Sequence, residues 1–338
     1  MQRPRGRYAP TPSGWIHVGN ARTALVTWWS IRAQGGTLIW RLEDLDPPRV
    51  LKGAPEAAIR DLRWLGLDWD EGPEQGGPYG PYIQSARDDL YEKALKQLAD
   101  AGRLFPCGLT RKEVQEASVA PHGSYGPRTA PYPAALRPAT LAPLWYERYL
   151  ESRDSKHPEN PGAPGAVALR FRVHDHPVTY VDRLQGSFTE RVDEQVGDFI
   201  LKRRDGLYAY QLAVVVDDIL MDVDEIVRGM DLVDSTARQI QLIEALGGRR
   251  PTYAHLPMVL NAAGDKLSKR DGALTLAHLR EHGVRPEALV GYLAFSLGLL
   301  DRPKPCKASD LIEGFDITRI RKPDWRLPDD LTNELLRL

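Results

Sequence analysis

RYAPTPSGWIHVGNARTALVTWWSIRAQGGTLIWRLEDLD, residues Arg7 to Asp46, reads as a strand, a tight turn, a helix and a second strand. Pro10, Pro12 and Gly14 punctuate the turn. His17 and Gly19 then stand at the mouth of a helix expected over about Ala21 to Arg32. The first N–H groups of a helix have no internal partner and carry partial positive charge, so that mouth suits phosphate. Gly19 has no Cβ and lets a flat or anionic ligand approach the backbone. His17 can donate a hydrogen bond to a phosphate oxygen in either neutral tautomer.

The rest of the chain bounds what this unit belongs to. A length of 338 residues suits two or three domains of roughly 100–200 residues each. At 42% hydrophobic and 27% charged, the composition is that of an ordinary globular protein. No apolar run reaches the roughly 18 residues of a membrane span, and MQRPRGR is too short and polar for a signal peptide. The expectation is a cytoplasmic chain without a membrane partner. Cys107 and Cys306 lie far apart, form no disulfide framework and fit a reducing compartment. A net charge of −1 excludes a uniformly basic nucleic-acid binder. A local basic face remains open at Lys202 to Arg204, Lys269-Arg270 and Arg319 to Lys322, although each cluster alone reads as solvated surface.

Outward from Asp46, Pro55 to Gly66 has apolar residues near helical spacing, and Ala86 to Gly102 is a second helix closed by glycine. The order β-α-β-α-α predicts a parallel sheet covered by helices. From Pro106 to Pro164 the chain turns rich in Pro, Gly, Ala and Arg and reads as an insertion, with TRKEV and LWYERYLES as short helices. Strands are expected at Val167 to Val173, Val178 to Val181, Asp198 to Lys202, Leu207 to Val216, Glu225 to Gly229 and Pro257 to Leu260. The apolar run Leu212 to Val216 is expected to be a buried central strand. Helices are expected at Thr236 to Leu246, Leu276 to His282 and Pro286 to Leu300.

Four stretches can carry chemistry. In GDKLSKRDG, Gly264 to Gly272, the ammonium groups of Lys266 and Lys269 flank Ser268 on a loop bounded by glycines. Fixed positive charge there would stabilise a leaving pyrophosphate, whereas the loop by itself reads as a charged surface turn. LEDLD, Leu42 to Asp46, ends the second strand, where ligands of open α/β sheets bind. Glu43 is the functional candidate there, and Asp46 before two prolines fits a turn. In YAYQLAVVVDD and EIVRGMDL, Tyr210 either projects into the crevice or is a core aromatic. Arg228, among apolar neighbours, must be paired, either with a ligand carboxylate or with a structural acid. Asp217-Asp218 read as active-site or turn residues. His122, His157, His174, His176 and Cys107 lack the spacing of a structural zinc site.

At these residues the chain resembles the class I aminoacyl-tRNA synthetases, the opening stretch matching their HIGH region and the Lys266 loop their KMSKS region. RYAPTPSG and RLEDLD resemble the glutamyl branch, over roughly Arg7 to Arg326. Within that branch, LEDLDPPR, RRDGLYAYQLAVVVDD, RGMDLVDSTARQ and the close KPDWRL are similar to its short, glutamyl-Q tRNA(Asp) form. The full form typically has Glu-Glu-His where Met230, Asp231 and Leu232 stand, and carries a large anticodon-binding region for which the span after Gly272 leaves no room. KRDGALTLAHLREHGVRPEALVGYLAFSLG resembles instead the full form's stem-contact region.

The resemblance implies an α/β fold: a Rossmann-type class I synthetase catalytic domain with an inserted connective subdomain and a short C-terminal helical stem-contact-like unit. The implied division is 1–104 and 190–260 for the catalytic domain, 105–189 for an acceptor-binding-like insertion, and 261–338 for the KMSKS loop and helices. It implies that Arg7, Ala9 and Thr11 contact glutamate, with Thr11 where the family usually has serine. Glu43 would bind the substrate ammonium, while Tyr210 and Arg228 complete the glutamate site. His17, Gly19, Lys266, Ser268 and Lys269 would serve ATP, with His17, Lys266 and Lys269 as the catalytic set. The family's three-cysteine, one-tyrosine zinc site is matched only by Cys107 and Tyr132, with Leu109 and Leu136 at the other cysteine positions. Zinc is therefore expected to be absent and replaced by apolar contacts. The implied activity is ATP- and Mg²⁺-dependent formation of glutamyl-adenylate, followed by transfer of glutamate to queuosine in the anticodon stem-loop of tRNA(Asp), by a monomer. The rivals are a truncated glutamyl-tRNA synthetase charging the 3′ end of tRNA(Glu), and a catalytically silent paralogue that binds tRNA or amino acid.

Overall fold

The computed structural model describes residues 3–110, 112–114, 131–154, 167–267 and 274–338. The opening unit is strand β1 (Arg5–Tyr8), helix α1 (Val18–Ala33) and strand β2 (Thr37–Trp40). Helix α1 is buried on nearly every side, as expected for a helix apolar all round. One side covers the sheet. The other packs on the C-terminal helices, and Trp29 Nε1 donates to the Ala308 carbonyl at 2.8 Å. Gly35 ends the helix at φ 62°, which only glycine adopts cheaply.

Helices α2 (Ala54–Trp64) and α3 (Asp88–Asp100) follow as expected. After them come β3 (Leu104–Cys107), α4 (Trp145–Asp154), β4 (Ala168–Phe171), β5 (Val178–Asp182), β6 (Gly186–Glu190), the short α5 (Val192–Gln195) and β7 (Phe199–Lys202). The chain then runs through α6 (Tyr210–Leu220), β8 (Glu225–Gly229), α7 (Thr236–Ala245), β9 (Thr252–Leu256) and β10 (Val259–Leu260). It closes with α8 (Leu276–Glu281), α9 (Pro286–Ser296), β11 (Trp325–Arg326) and α10 (Leu331–Leu336). LWYERYLES is helical, as predicted; most of the segment from TRKEV to the next described residue lies outside the described residues.

The main sheet has six strands in the order β2-β1-β8-β9-β5-β6. All pairs are parallel except β5–β6. The chain leaves β1 for β2 on one side and returns much later as β8 on the other. The crevice beyond the carboxyl ends of β1 and β8 is therefore the switch point at which open α/β sheets bind ligands. A three-stranded antiparallel sheet, β3-β4-β7, stands apart, and β10 pairs with β11. The strand pairings cross the expected 189/190 boundary: β5 and β6 join the main sheet, while β7 joins the small one.

Two expectations need correction. Leu212 to Val216 is not a central strand; it is the middle of helix α6. A short apolar run buried on all sides looks alike as strand or helix, since periodicity cannot separate them. The two middle strands are β8, which the sequence reading assigned, and β9, Thr252–Leu256, which it did not. The five residues of β9 fall between a double glycine and a proline and are too short to show a pattern.

Candidate active site

The loop after β1 is short and tightly bonded. Ser13 N–H donates to the Thr11 carbonyl at 2.8 Å, and Glu43 N–H donates to the Pro10 carbonyl at 3.2 Å. The loop thereby lies on the segment that follows β2. His17 is the N-cap of α1, and its Nδ1 accepts from Asn20 N–H at 3.2 Å. In the neutral ring that leaves the proton on Nε2. A Cβ placed on Gly19 would stand 3.0 Å from His17 Cε1 and 3.5 Å from Leu267 Cδ1, so the position accepts no larger residue without moving the histidine.

The same histidine meets the distant loop. His17 and Thr275 form an antiparallel bridge, and Leu276 N–H donates to the Ile16 carbonyl at 2.8 Å. Leu267 is buried beside Gly19. The two motifs, one near each end of the chain, thus converge. Lys266 is exposed and ion-paired with Asp231. Ser268 and Lys269 lie outside the described residues.

The floor of the crevice is charged and buried. Arg7, at the end of β1, holds Asp218 of α6 at 3.3 Å. Arg41, fully buried, holds Asp218 at 2.7 Å and Glu43 at 3.1 Å and lies 3.6 Å from Asp217. Asp217 also accepts from Arg87 Nε at 2.6 Å and Gln84 Nε2 at 2.8 Å. Burial alone would raise the pKa of Asp218, but Arg7 and Arg41 outweigh it and hold the carboxyl below its ordinary value. For Glu43 burial wins over Arg41 and Arg7, and its pKa is raised. Glu43 is thus an acid whose charge is incompletely met by the protein, which is the state a ligand ammonium would relieve.

Arg228 of β8 is buried, and its partners are all neutral. Its Nε donates to His255 Nε2 at 3.0 Å, and its terminal nitrogens donate to Gln239 Oε1 at 2.7 Å and Thr236 Oγ1 at 2.9 Å. Burial lowers the His255 pKa, against the opposing bond from Asp182. Asp182 Oδ2 lies 2.6 Å from His255 Nδ1, and backbone N–H groups of Leu184, Gln185 and His255 converge on the same carboxyl group. The proton on Nδ1 therefore belongs to the Asp182 bond, and Nε2 is left as the acceptor for Arg228. The result is a guanidinium fork with no carboxylate partner among the described residues.

Tyr210 is the first residue of α6, not the residue before a strand. Tyr210 is 36% exposed, and Glu43, Arg228, Arg7 and Asp218 act on its hydroxyl. Burial and Glu43 push that hydroxyl up, and Arg228 and Arg7 pull against them. Arg7, Glu43, Tyr210 and Arg228 therefore share one crevice. Ala9 is half-buried at its edge and Thr11 is exposed at its mouth. Asp217 and Asp218 are neither turn residues nor a separate site; they are helical anchors for the arginines. The sequence reading missed Arg41, His255 and Asp182. A signal for Arg41 was present, since an arginine ending an apolar strand needs a partner. None marked Asp182, which looks like any strand-ending aspartate.

In the insertion, Cys107 Sγ stands 3.7 Å from Tyr132 Oη, and Leu109, Leu136, Leu141, Phe105 and Val114 close an apolar cluster around them. Among the described residues no group of three or more His, Cys, Asp or Glu could hold a metal, and two remnants do not make a zinc site. No helix among them is long and apolar enough to cross a membrane.

Comparison with known proteins places this geometry. Residues 4–326 match the family model described as tRNA synthetases class I (E and Q), catalytic domain. A glutamyl-Q tRNA(Asp) synthetase of Symbiobacterium thermophilum is 47% identical over 326 residues, which is 96% of this chain and 95% of that protein. Glutamate–tRNA ligase 2 of Syntrophus aciditrophicus is 39% identical over 95% of this chain but only 63% of its own length. Among solved structures, the glutamate–tRNA synthetase of Elizabethkingia anophelis superposes with a TM-score of 0.81 at 28% identity, covering 99% of this chain and 70% of that one.

Proposed function

The chain belongs to the class I tRNA synthetases of the E and Q type, and on that premise we propose that it activates L-glutamate as glutamyl-adenylate and transfers it to the queuosine of tRNA(Asp). It is an ATP-dependent ligase of the aminoacyl-tRNA synthetase kind. The observation that carries the amino acid is Arg228. A buried guanidinium with only neutral partners is a receptor for a carboxylate, because an uncompensated charge costs several kcal/mol until an anion arrives. Arg228 takes the side-chain carboxylate of glutamate, Glu43 the ammonium, and Arg7 with Tyr210 completes the fit; Ala9 and Thr11 form the edge.

The α-carboxylate then attacks the α-phosphorus of ATP, and the bond to the β-phosphate breaks to release pyrophosphate. His17 Nε2–H and the N-terminus of α1 face the phosphates, Gly19 lets the nucleotide lie close, Lys266 and Lys269 neutralise the leaving group, and Ser268 donates a hydrogen bond to the triphosphate. These groups position and stabilise; no covalent intermediate with the protein is needed. Mg²⁺ would be held mainly by triphosphate oxygens and water, as this ion commonly is.

In the second step a ring hydroxyl of queuosine attacks the adenylate carbonyl and AMP leaves. The support for this acceptor is the near full-length match to the glutamyl-Q relative, against partial coverage of the glutamate–tRNA ligase. With it goes a division of labour. Residues 1–104 and 190–260, together with β5 and β6 of the main sheet, bear the activation site, the rest of 105–189 the acceptor-facing insertion, and 261–338 the closing loop and helical unit. Glutamate-dependent ATP–pyrophosphate exchange without tRNA tests activation, and absence of exchange with or without tRNA overturns it. Transfer of labelled glutamate to queuosine-bearing tRNA(Asp) but not to tRNA(Glu) tests the acceptor; the reverse result would establish a 3′-end-charging enzyme.

A further inference from the structure

We propose that Trp15, with Arg49 and Lys52, forms a docking platform for a nucleobase and its phosphates at the mouth of the activation crevice. Among the described residues seven large apolar side chains are exposed, and three of them, Trp15 (44%), Leu51 (41%) and Tyr210, belong to segments that border this one crevice. Trp15 lies two residues before His17, and its indole has neither a ring contact nor a hydrogen bond among the described residues. Nearly half of this indole's surface is open to solvent, so it is available to a flat partner.

The neighbouring loop supplies the charge. Leu51 N–H donates to the Pro12 carbonyl at 2.8 Å, which fixes residues 47–53 against the loop that carries Trp15. Pro47 and Pro48 open a tight helical turn ending at Arg49, so this backbone is stiff. Arg49 and Lys52 are exposed and unpaired among the described residues. The acids beside them are occupied: Asp44 accepts from Ser85, and Asp46 lies 4.0 Å from Arg203. An open aromatic face on one loop, and unpaired cations on the stiff loop bonded to it, make the arrangement that binds unstacked bases and backbone phosphates of single-stranded RNA. The occupant is the loop of the RNA substrate. This identification rests on the proposed transfer step, and it adds where the RNA is gripped.

The test is fluorescence anisotropy with a labelled anticodon stem-loop of tRNA(Asp) and with intact tRNA(Glu), beside glutamate-dependent ATP–pyrophosphate exchange. Trp15→Ala should weaken binding of the stem-loop by about tenfold, the loss of one base–aromatic stack, and Trp15→Phe should restore most of it. Arg49→Gln with Lys52→Gln should flatten the slope of log affinity against log salt by roughly 1.4 to 1.8, the release expected for two phosphate contacts. Exchange should equal that of the unaltered protein in all three variants. Unchanged affinity of Trp15→Ala for both RNAs overturns the platform while intact exchange leaves activation standing. A change of oligomeric state in Trp15→Ala, read by light scattering, overturns it in favour of a contact between protein chains. Loss of exchange in the unaltered protein refutes the activation reading without touching the binding result.

Discussion

The two sides of the crevice are built on opposite terms. On the proposed amino-acid side, Arg7, Arg41, Glu43, Asp217, Asp218 and Arg228 are all buried and each is held by at least one partner, Arg41, Asp217, Asp218 and Arg228 by several. On the proposed nucleotide side, Lys266 is exposed and held by a single exposed acid, Asp231. The first side is preorganised and can discriminate, because a ligand lacking one charge leaves a buried group unpaired. The second is loosely held and can close, because little has to be broken to move it. Selectivity and closure are thereby assigned to different parts of one crevice.

The largest effect expected from breaking this asymmetry is at Arg228. Arg228→Ala should lower glutamate-dependent exchange by about three orders of magnitude, from the roughly 2–5 kcal/mol tied to a buried charged contact. ATP affinity, measured by calorimetry, should hardly change. Equal losses in both would mean that the two sides are not separate. Next is Arg41→Met, which strips Asp218 and Glu43 of a common buried partner. Denaturant unfolding should show a loss of about 3–5 kcal/mol, the cost of an uncompensated buried charge. A loss below about 1 kcal/mol would show that the arginine network is not what holds this floor.

Lys266→Ala should do the reverse of Arg41→Met. The turnover of exchange should drop by about 10- to 100-fold, with glutamate affinity and the unfolding midpoint as in the unaltered protein. A parallel fall in stability would place Lys266 with the rigid side.

A smaller effect is expected from pH. His255 has a folded pKa below its usual value, so its contribution to stability is full above the unfolded value of about 6.5 and is lost as the pH falls from there through the lower folded one. Protonating Nε2 also removes the acceptor from Arg228. The KM for glutamate should therefore rise only when the pH falls through the lowered folded-state pKa, below the ordinary histidine value, and His255→Gln should flatten the profile. A profile identical in the variant would remove His255 from the set that orients Arg228. The smallest effect on activity is expected in the insertion. Leu109→Cys with Leu136→Cys should complete a zinc site with Cys107 and Tyr132 and bind one equivalent of zinc by elemental analysis, with exchange unaffected. Stoichiometric zinc in the unaltered protein would contradict the apolar reading of that cluster.

Legibility followed the length of the local signal. The opening unit carried its own turn residues and helix mouth, so β1, α1 and β2 and the roles suggested for His17 and Gly19 could be read from the chain. Arg228 and Glu43 were visible as charged residues in apolar surroundings. Helix α6 was misread because an apolar run of five residues has the same pattern in either structure when all sides are buried. That error also misplaced Tyr210, which opens the helix and shares its long axis with Asp217 and Asp218.

The sequence by itself determined the family, the class of fold and the two motifs, because each is written in contiguous residues whose backbone needs are local. Only the tertiary structure decided which acids meet which arginines. Asp218 reaches Arg7, and Asp182 reaches His255, across separations that no spacing rule spans. It also decided that Thr275 bridges His17, so that the Lys266 loop comes to the mouth of α1. Such pairings depend on strand order, since β1 and β8 become neighbours only when the sheet forms, and the energy of a buried charge is fixed by that neighbour.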